Sequence, residues 1–242
     1  MTEFGAQPSV YPLRFEGDLS PRLSRWLWLV KWLLIIPHAI VLFFLWIAFL
    51  ALSVVAFFAI LFTGRYPHGI FRFNVGVLRW TWRVGYYSYS ALGTDRYPPF
   101  TLAEVPDYPA RLSVEYPQHL SRGLVLVKWW LLALPHYLII GVFTGAAFAG
   151  YNQANHNDAW AYGSGLIGLL VAIAAIVLLF AGRYPRGLYD LVMGMNRWVF
   201  RVVAYAGLMT DAYPPFRLDM GDEEPASPDT APTIGPDPVP AS

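Results

Sequence analysis

Apolar residues are concentrated in two long runs. Trp26–Phe62 is apolar at nearly every position, broken only by Lys31, Pro37, His38 and Ser53, and Arg65 follows closely. The second run covers Gly123–Ala149 and Gly163–Ala181, divided by the polar stretch GYNQANHNDAWAYGSG at 150–165. One bilayer crossing takes about 20 apolar residues. Trp26–Phe62 is long for one crossing and just sufficient for two short ones. After each run the pattern becomes mixed, over His68–Leu92 and Arg186–Met209. Arg79 and Arg83 stand four apart there, as do Arg197 and Arg201, and Arg72 lies two turns before Arg79. That spacing puts the charges on one helical face. It predicts helices lying in the membrane interface, arginines toward lipid phosphates or a partner. Tyr11–Asp18 and Tyr108–Glu115 alternate apolar and polar residues and read as strands. Their prolines suit strand starts and edges. The expectation is a small sheet at the membrane surface that pairs the start and end pieces of a unit.

The chain repeats itself once. Leu29-Val30-Lys31-Trp32 returns as Leu126-Val127-Lys128-Trp129, and Pro37-His38 as Pro135-His136. Gly64-Arg65-Tyr66-Pro67 returns as Gly182-Arg183-Tyr184-Pro185, and Arg79-Trp80 as Arg197-Trp198. Thr94-Asp95 with Tyr97-Pro98-Pro99-Phe100 returns as Thr210-Asp211 with Tyr213-Pro214-Pro215-Phe216. Three units follow: a first membrane repeat at 1–103, a second at 104–220 with an extra outer loop about 150–164, and an acidic, Pro-rich tail at 221–242. The tail lacks the apolar surface needed to fold and reads as disordered.

Over residues 11–103 and 108–219 this pattern resembles tandem copies of the actinobacterial membrane family catalogued as domain of unknown function 4389. The marks that carry the resemblance are Val-Lys-Trp with Pro-His, Gly-Arg-Tyr-Pro and Tyr-Pro-Pro-Phe. The resemblance implies a membrane location and no activity.

Charge sets the expected topology. Arg22 and Arg25 precede the first run, Lys31 stands near its start, and Arg65, Arg72, Arg79 and Arg83 follow it. Basic flanks stay cytoplasmic, so each apolar run is expected to be a hairpin, the first with its tip near Leu45–Ala48. The polar stretch at 150–165 has no Lys or Arg and would mark the far side. Four crossings follow: Trp26–Leu45, Ile47–Phe62, Gly123–Ala149 and Gly163–Ala181. In the alternative, Trp26–Ile36 lies flat and only Ala39–Phe62 crosses. That would separate the two basic flanks, which the charge rule disfavours. The first 25 residues carry Arg14, Arg22 and Arg25 without a short apolar core, so no cleaved signal peptide is expected. The expected fold is an α-helical integral membrane protein of two tandem repeats. Each is a transmembrane helical hairpin plus an interfacial amphipathic helix, with short β-strands at the surface. The expected setting is the plasma membrane, multi-pass, with both termini cytoplasmic.

Candidate chemistry is sparse. Only 14% of residues are charged and there is no cysteine, which excludes disulfides and thiolate chemistry. Lys31, His38, Lys128 and His136 are ionisable groups inside apolar runs and hence ligand-binding candidates. The bland alternatives are lysines that snorkel to headgroups and histidines that satisfy carbonyls freed by the preceding proline. Arg65, Arg72, Arg79, Arg83, Arg183, Arg197 and Arg201 are candidates for lipid-headgroup or partner contact. Arg65 and Arg183 also suit helix C-termini, and Asp95 and Asp211 are candidate partners for nearby arginines. His156 and Asp158 are too few for a metal site; no metal or cofactor is expected. No phosphate-binding glycine loop, zinc signature or serine elbow is present, and nucleic acid is not an expected partner. The reading is a non-enzymatic accessory or scaffold subunit of a cell-envelope or membrane assembly. Its partners would be membrane lipids and a membrane protein or a second copy. The alternative is a small lipid-handling or transport protein using the duplicated Pro-His hairpins.

Overall fold

The computed structural model describes residues 11–145 and 165–222. Among the described residues the chain is mostly helical, with one two-stranded sheet. Strand β1 (Leu13–Gly17) is followed by α1 (Trp28–Leu34), α2 (Ile36–Thr63) and α3 (His68–Tyr87). Strand β2 (Ala110–Val114) opens the second half, followed by α4 (Leu124–Val127) running into a π-helical turn (Lys128–Leu132). Helices α5 (Leu134–Thr144), α6 (Leu166–Ala181) and α7 (Arg186–Ala206) complete it. The alternation in the two Tyr-Pro segments is realised as strands. They pair with each other and not with the ends of their own units, a correction to the expected pairing.

That pairing reveals how the repeats are related. β1 and β2 are antiparallel and centred on Phe15 opposite Leu112, which are the same position of the repeat. Equivalent strands paired this way create a local two-fold axis, as in an isologous dimer. Further contacts obey it. Trp82 and Phe200, also matching positions, meet with ring centroids 5.7 Å apart. Arg79 of α3 donates to the Leu112 carbonyl, and Arg197 of α7 donates to that of Phe15. The Tyr66 hydroxyl donates to Gly207 O, and that of Tyr184 to Ala91 O. Each repeat is completed by the other.

Three layers result. The sheet lies over α3 and α7, and α2, α5 and α6 pack beneath those helices. The amphipathic helices therefore form the middle of the molecule. Their strongly apolar faces meet the core, with Val77, Trp82, Val192 and Val202 fully or almost fully buried.

Helix α2 corrects the expected first hairpin. It runs unbroken for 28 residues through Leu45–Ala48, where a tip was expected. No turn residue interrupts this stretch, so nothing in the local chemistry stops the helix. Pro37 stands in its first turn, where a proline costs no hydrogen bond. It therefore starts α2 and does not kink it. In the second half, α5 and α6 occupy the positions of the repeat that α2 fills alone. Gly165 sits directly against the backbone of residues 143–145, so the chain returns to where it left the helical path. The polar loop, with His156, Asp158 and Trp160, lies outside the described residues. Among the described residues one helix, α2, is long and apolar enough to cross a membrane. The pair Leu124–Leu132 and Leu134–Thr144, bent by 42°, is a second candidate if it counts as one span.

The fold also extends past the expected body boundary at 220. Gly17 N donates to Asp222 O, and Gly221 O accepts from Arg197. The rest of the tail, 223–242, lies outside the described residues.

Candidate functional site

The residues that recur in the sequence converge into two matching clusters, one per repeat. In the first, Lys31 leaves α1 and is fully buried. Its ammonium pairs with Asp95 at 2.9 Å and donates to Thr94 O at 2.6 Å. In the second, Lys128 leaves the π-helical turn, equally buried. It pairs with Asp211 at 2.7 Å and donates to Thr210 O at 3.0 Å. Tyr87 lies 4.6 Å and Tyr205 5.6 Å from the respective ammonium. The snorkelling alternative is thereby corrected: each lysine turns inward to an aspartate. The partners of Asp95 and Asp211 are these lysines, not arginines. Each aspartate also accepts the backbone N–H of the serine that opens its repeat, Ser24 at 2.5 Å and Ser121 at 2.6 Å. The Thr-Asp pair thus clamps the beginning of a repeat to its end.

The histidines sit one step further in, each enclosed by its own repeat. His38 stacks on Phe100 at 3.8 Å, with Tyr97 at 4.9 Å, and accepts at Nδ1 from the Trp80 indole at 3.2 Å. His136 repeats this with Phe216 at 4.3 Å, Tyr213 at 4.9 Å and Trp198 at 3.1 Å. An indole N–H can only donate, so Nδ1 is the acceptor and the ring proton sits on Nε2. That nitrogen has no hydrogen-bond partner among the described residues in either repeat. The expectation that the histidines satisfy proline-freed carbonyls is corrected, because each partner is a tryptophan on the neighbouring helix. Substituting one member of the pair leaves a buried polar group alone, whereas replacing both removes the demand. Thermal melts of His38→Phe, Trp80→Phe and the double variant in detergent should therefore give a double variant less destabilised than the sum of the singles, by about 1 kcal/mol or more.

The arginine stripe faces inward, a second correction. Arg83, Arg197 and Arg201 are buried and Arg79 is half-buried. Arg79 donates to Leu112 O at 3.0 Å and Leu102 O at 3.3 Å. Arg83 donates to Thr101 O. Arg197 donates to the carbonyls of Phe15, Asp219 and Gly221. Arg201 pairs with Asp219 at 2.6 Å. Burial lowers the Arg83 pKa to about 10, helped by the Arg79 charge, which still leaves it cationic at neutral pH. The physical reason for the inversion is the sheet. Chain segments laid over α3 and α7 expose carbonyls to them, and the guanidinium forks satisfy those carbonyls. Arg65, Arg72 and Arg183 remain on the surface. Gly64 and Gly182, at φ 70° and 68°, close α2 and α6, and the guanidinium groups beside them are Arg122 and Arg25 of the opposite repeat.

Tyrosines fill the space between the clusters and the sheet. The Tyr86 and Tyr189 hydroxyls share a 2.7 Å hydrogen bond, and Tyr189 donates onward to Gly17 O at 2.5 Å. Burial raises the pKa of both, and pushes Tyr66 up to about 12. A folded-state pKa above the unfolded value of about 10 means stability fully present below pH 10. It is lost as the pH climbs from 10 toward 12. Denaturation midpoints should stay level across neutral pH and fall in that alkaline window. A midpoint unchanged up to pH 12 would contradict the buried tyrosine layer.

The pattern of the sequence singles out the lysines, the histidines and the aspartates, but not the aromatic residues that enclose the histidines. Trp80, Trp198, Phe100 and Phe216 could have been found, since each recurs at its matching place in the repeat. A family model matches the chain twice, over residues 25–101 and 159–217. The chain belongs to the family of the domain of unknown function DUF4389. No curated protein and no solved structure matches it. The first DUF4389 match contains every member of the first cluster, from Lys31 to Phe100. The second contains Trp198, Asp211 and Phe216 but begins after Lys128 and His136. Both strands lie outside the matches, so the pairing that joins the repeats stands beside the DUF4389 units.

Proposed function

We propose that this tandem DUF4389 chain is a non-enzymatic accessory or scaffold protein of a cell-envelope or membrane assembly. It is seated in the plasma membrane with both termini on the cytoplasmic side. One observation carries the reading: the recurring lysines and histidines of the apolar runs are buried in contacts inside the fold. Lys31, Lys128, His38 and His136 each meet partners from their own repeat. What the repeats conserve between themselves is thus a framework, not an open constellation. Beneath it, α2 turns Phe44, Ile47, Leu50 and Phe58 outward, each more than half exposed. So large an apolar surface belongs against lipid or a partner. On the opposite side the sheet presents Arg111, ion-paired with Glu16 and Asp18 at 2.9 and 2.8 Å. The test is crosslinking in living cells followed by gentle solubilisation. A discrete, saturable complex larger than the chain is expected, retained when His38 and His136 are both changed to Phe. A chain that stays solitary throughout would overturn the scaffold reading.

A second reading, lipid handling, is favoured by one cavity. A space of about 320 Å³ lies between the two repeats, lined by Trp46, Thr81, Trp82, Phe143, Asn196 and Phe200 among others. The Pro-His pairs do not line it, so lipid movement would not run through them.

A further inference from the structure

We propose that the long apolar helices lie in the plane of a single leaflet, with the local two-fold axis along the membrane normal, so that the protein is monotopic. The proposal rests on the membrane seating above and specifies its geometry. Four observations carry it.

The first is the length of contact along α2. Its buried positions are His38, Leu42, Phe49, Ala56 and Ile60, one stripe running almost the whole helix. At 1.5 Å per residue that stripe is roughly 33 Å long. The hydrogen bonds from Trp46 to Thr81 and from Asn74 to Ser53 show which element it lies against, namely α3. A crossing helix with its body on one side of the membrane would touch that body at one end. Here the contact reaches both ends, and α3 itself lies on the sheet through Arg79 and Trp82.

The second is the attachment of both ends of α2 to the polar layer. Just before its start, at the last residue of α1, Tyr97 donates to Leu34 O, next to the Lys31–Asp95 pair. At its end, Leu120 N donates to Gly64 O, with Arg122 alongside. Both flanks are basic, as cytoplasmic flanks are. An unbroken helix with two cytoplasmic ends cannot cross, but it can lie flat.

The third is the position of the extra loop. It leaves the helical path between Thr144 and Leu166, the middle of the stretch equivalent to α2. If that path crossed, a segment rich in Asn, with His156 and Asp158, would be inserted at the centre of the hydrocarbon, where polar backbone has no solvent. A helix lying near the headgroups tolerates a polar insertion at that point of the sequence.

The fourth is the symmetry. The two repeats are related by an axis perpendicular to their paired strands. Both meet the same membrane equivalently only if that axis is the normal. This places the sheet parallel to the surface and gives both repeats one apolar underside. Ile40, Ile47 and Val54 in the first half, and Leu138, Leu169 and Phe180 in the second, are all exposed there. Such helices sink about 5–10 Å into the headgroup and acyl boundary. Exposed Trp26, Trp32, Trp129 and Trp130 fit the interfacial belt.

The absence of cysteine makes the test clean. Single cysteines replace Ile40, Ile47, Val54 and Phe58, carry nitroxide labels, and are read in vesicles of phosphatidylethanolamine and phosphatidylglycerol. Accessibility to oxygen against a water-soluble nickel chelate reports depth. The in-plane arrangement predicts lipid-range ratios with no trend along the helix. A maximum at Ile47 and Val54, falling toward Ile40 and Phe58, would mean that α2 crosses and would overturn the monotopic geometry while leaving the membrane seating intact. Water-range values at all four sites would overturn the membrane seating itself. In cells, Ser24→Cys and Arg65→Cys should react alike with an impermeant maleimide; opposite reactivity would also mean a crossing.

Discussion

Asp95→Ala should destabilise the protein by about 3–5 kcal/mol, and Lys31→Met by only about 1–3 kcal/mol. The asymmetry follows from the unequal burial of the partners. The Lys31 side chain is 1% exposed and that of Asp95 26%. Removing Asp95 strands an ammonium whose remaining oxygen partner is the Thr94 carbonyl. An unpaired buried charge is among the most expensive single defects. Removing Lys31 leaves a carboxylate that still reaches water and still accepts from Ser24 N at 2.5 Å. The same order should hold for Asp211→Ala against Lys128→Met, where the exposures are 26% and 0%. Denaturant titrations in a mild detergent measure both pairs. Equal losses from the two members of a pair would mean that the lysine finds water in the folded state. The two sites share no partner, so their effects should add.

Arg197→Met should cost on the order of 4 kcal/mol, more than any other arginine of the two amphipathic helices. Arg197 is fully buried and ties both β1 and the 219–221 segment to α7. Its Nε and Nη2 donate to Phe15 O at 3.3 and 3.1 Å, Nη2 to Gly221 O at 3.0 Å, and Nη1 to Asp219 O. Losing the fork leaves those carbonyls behind in a buried setting, while the thioether fills part of the volume. Arg197→Lys should recover little, because one ammonium cannot reach the positions served by a planar fork. Arg79→Met should cost less, since Arg79 is only half-buried and serves two carbonyls, Leu112 and Leu102. Limited proteolysis provides a second readout: in Arg197→Met, cleavage near Asp219–Asp222 should accelerate before global unfolding.

The sequence carried the plan of the molecule because the plan is written twice. Ordered recurrence from Tyr11 to Phe216 defined the units, and alternation in the Tyr-Pro segments located the strands that form. The mixed segments became α3 and α7 with starts where expected, at His68 and Arg186. What could not be read was direction. Arg79 and Arg83 share a helical face whether that face meets lipid phosphates or a layer of peptide carbonyls. The sheet that decides between them comes from residues far away in the chain. Lys31 likewise could snorkel or turn inward, and the deciding residue is Asp95, 64 positions later. The hairpin inferred for Trp26–Phe62 came from a sound rule, that basic flanks share a side, joined to the assumption that an apolar helix must cross. The continuity of α2 removes the turn that this hairpin needs; the monotopic arrangement proposed above keeps the rule and drops the assumption.

The two repeats form one body joined across the β1–β2 pair. Arg14 faces Ser113 in that register, and neighbouring strands bring Cα atoms within disulfide range. Arg14→Cys with Ser113→Cys, oxidised in native membranes, should close a disulfide within one chain and shift its mobility on a non-reducing gel. The off-register pair Arg14→Cys with Glu115→Cys should close far more slowly. Absence of the first crosslink, or its appearance only between chains, would contradict the joined two-fold body.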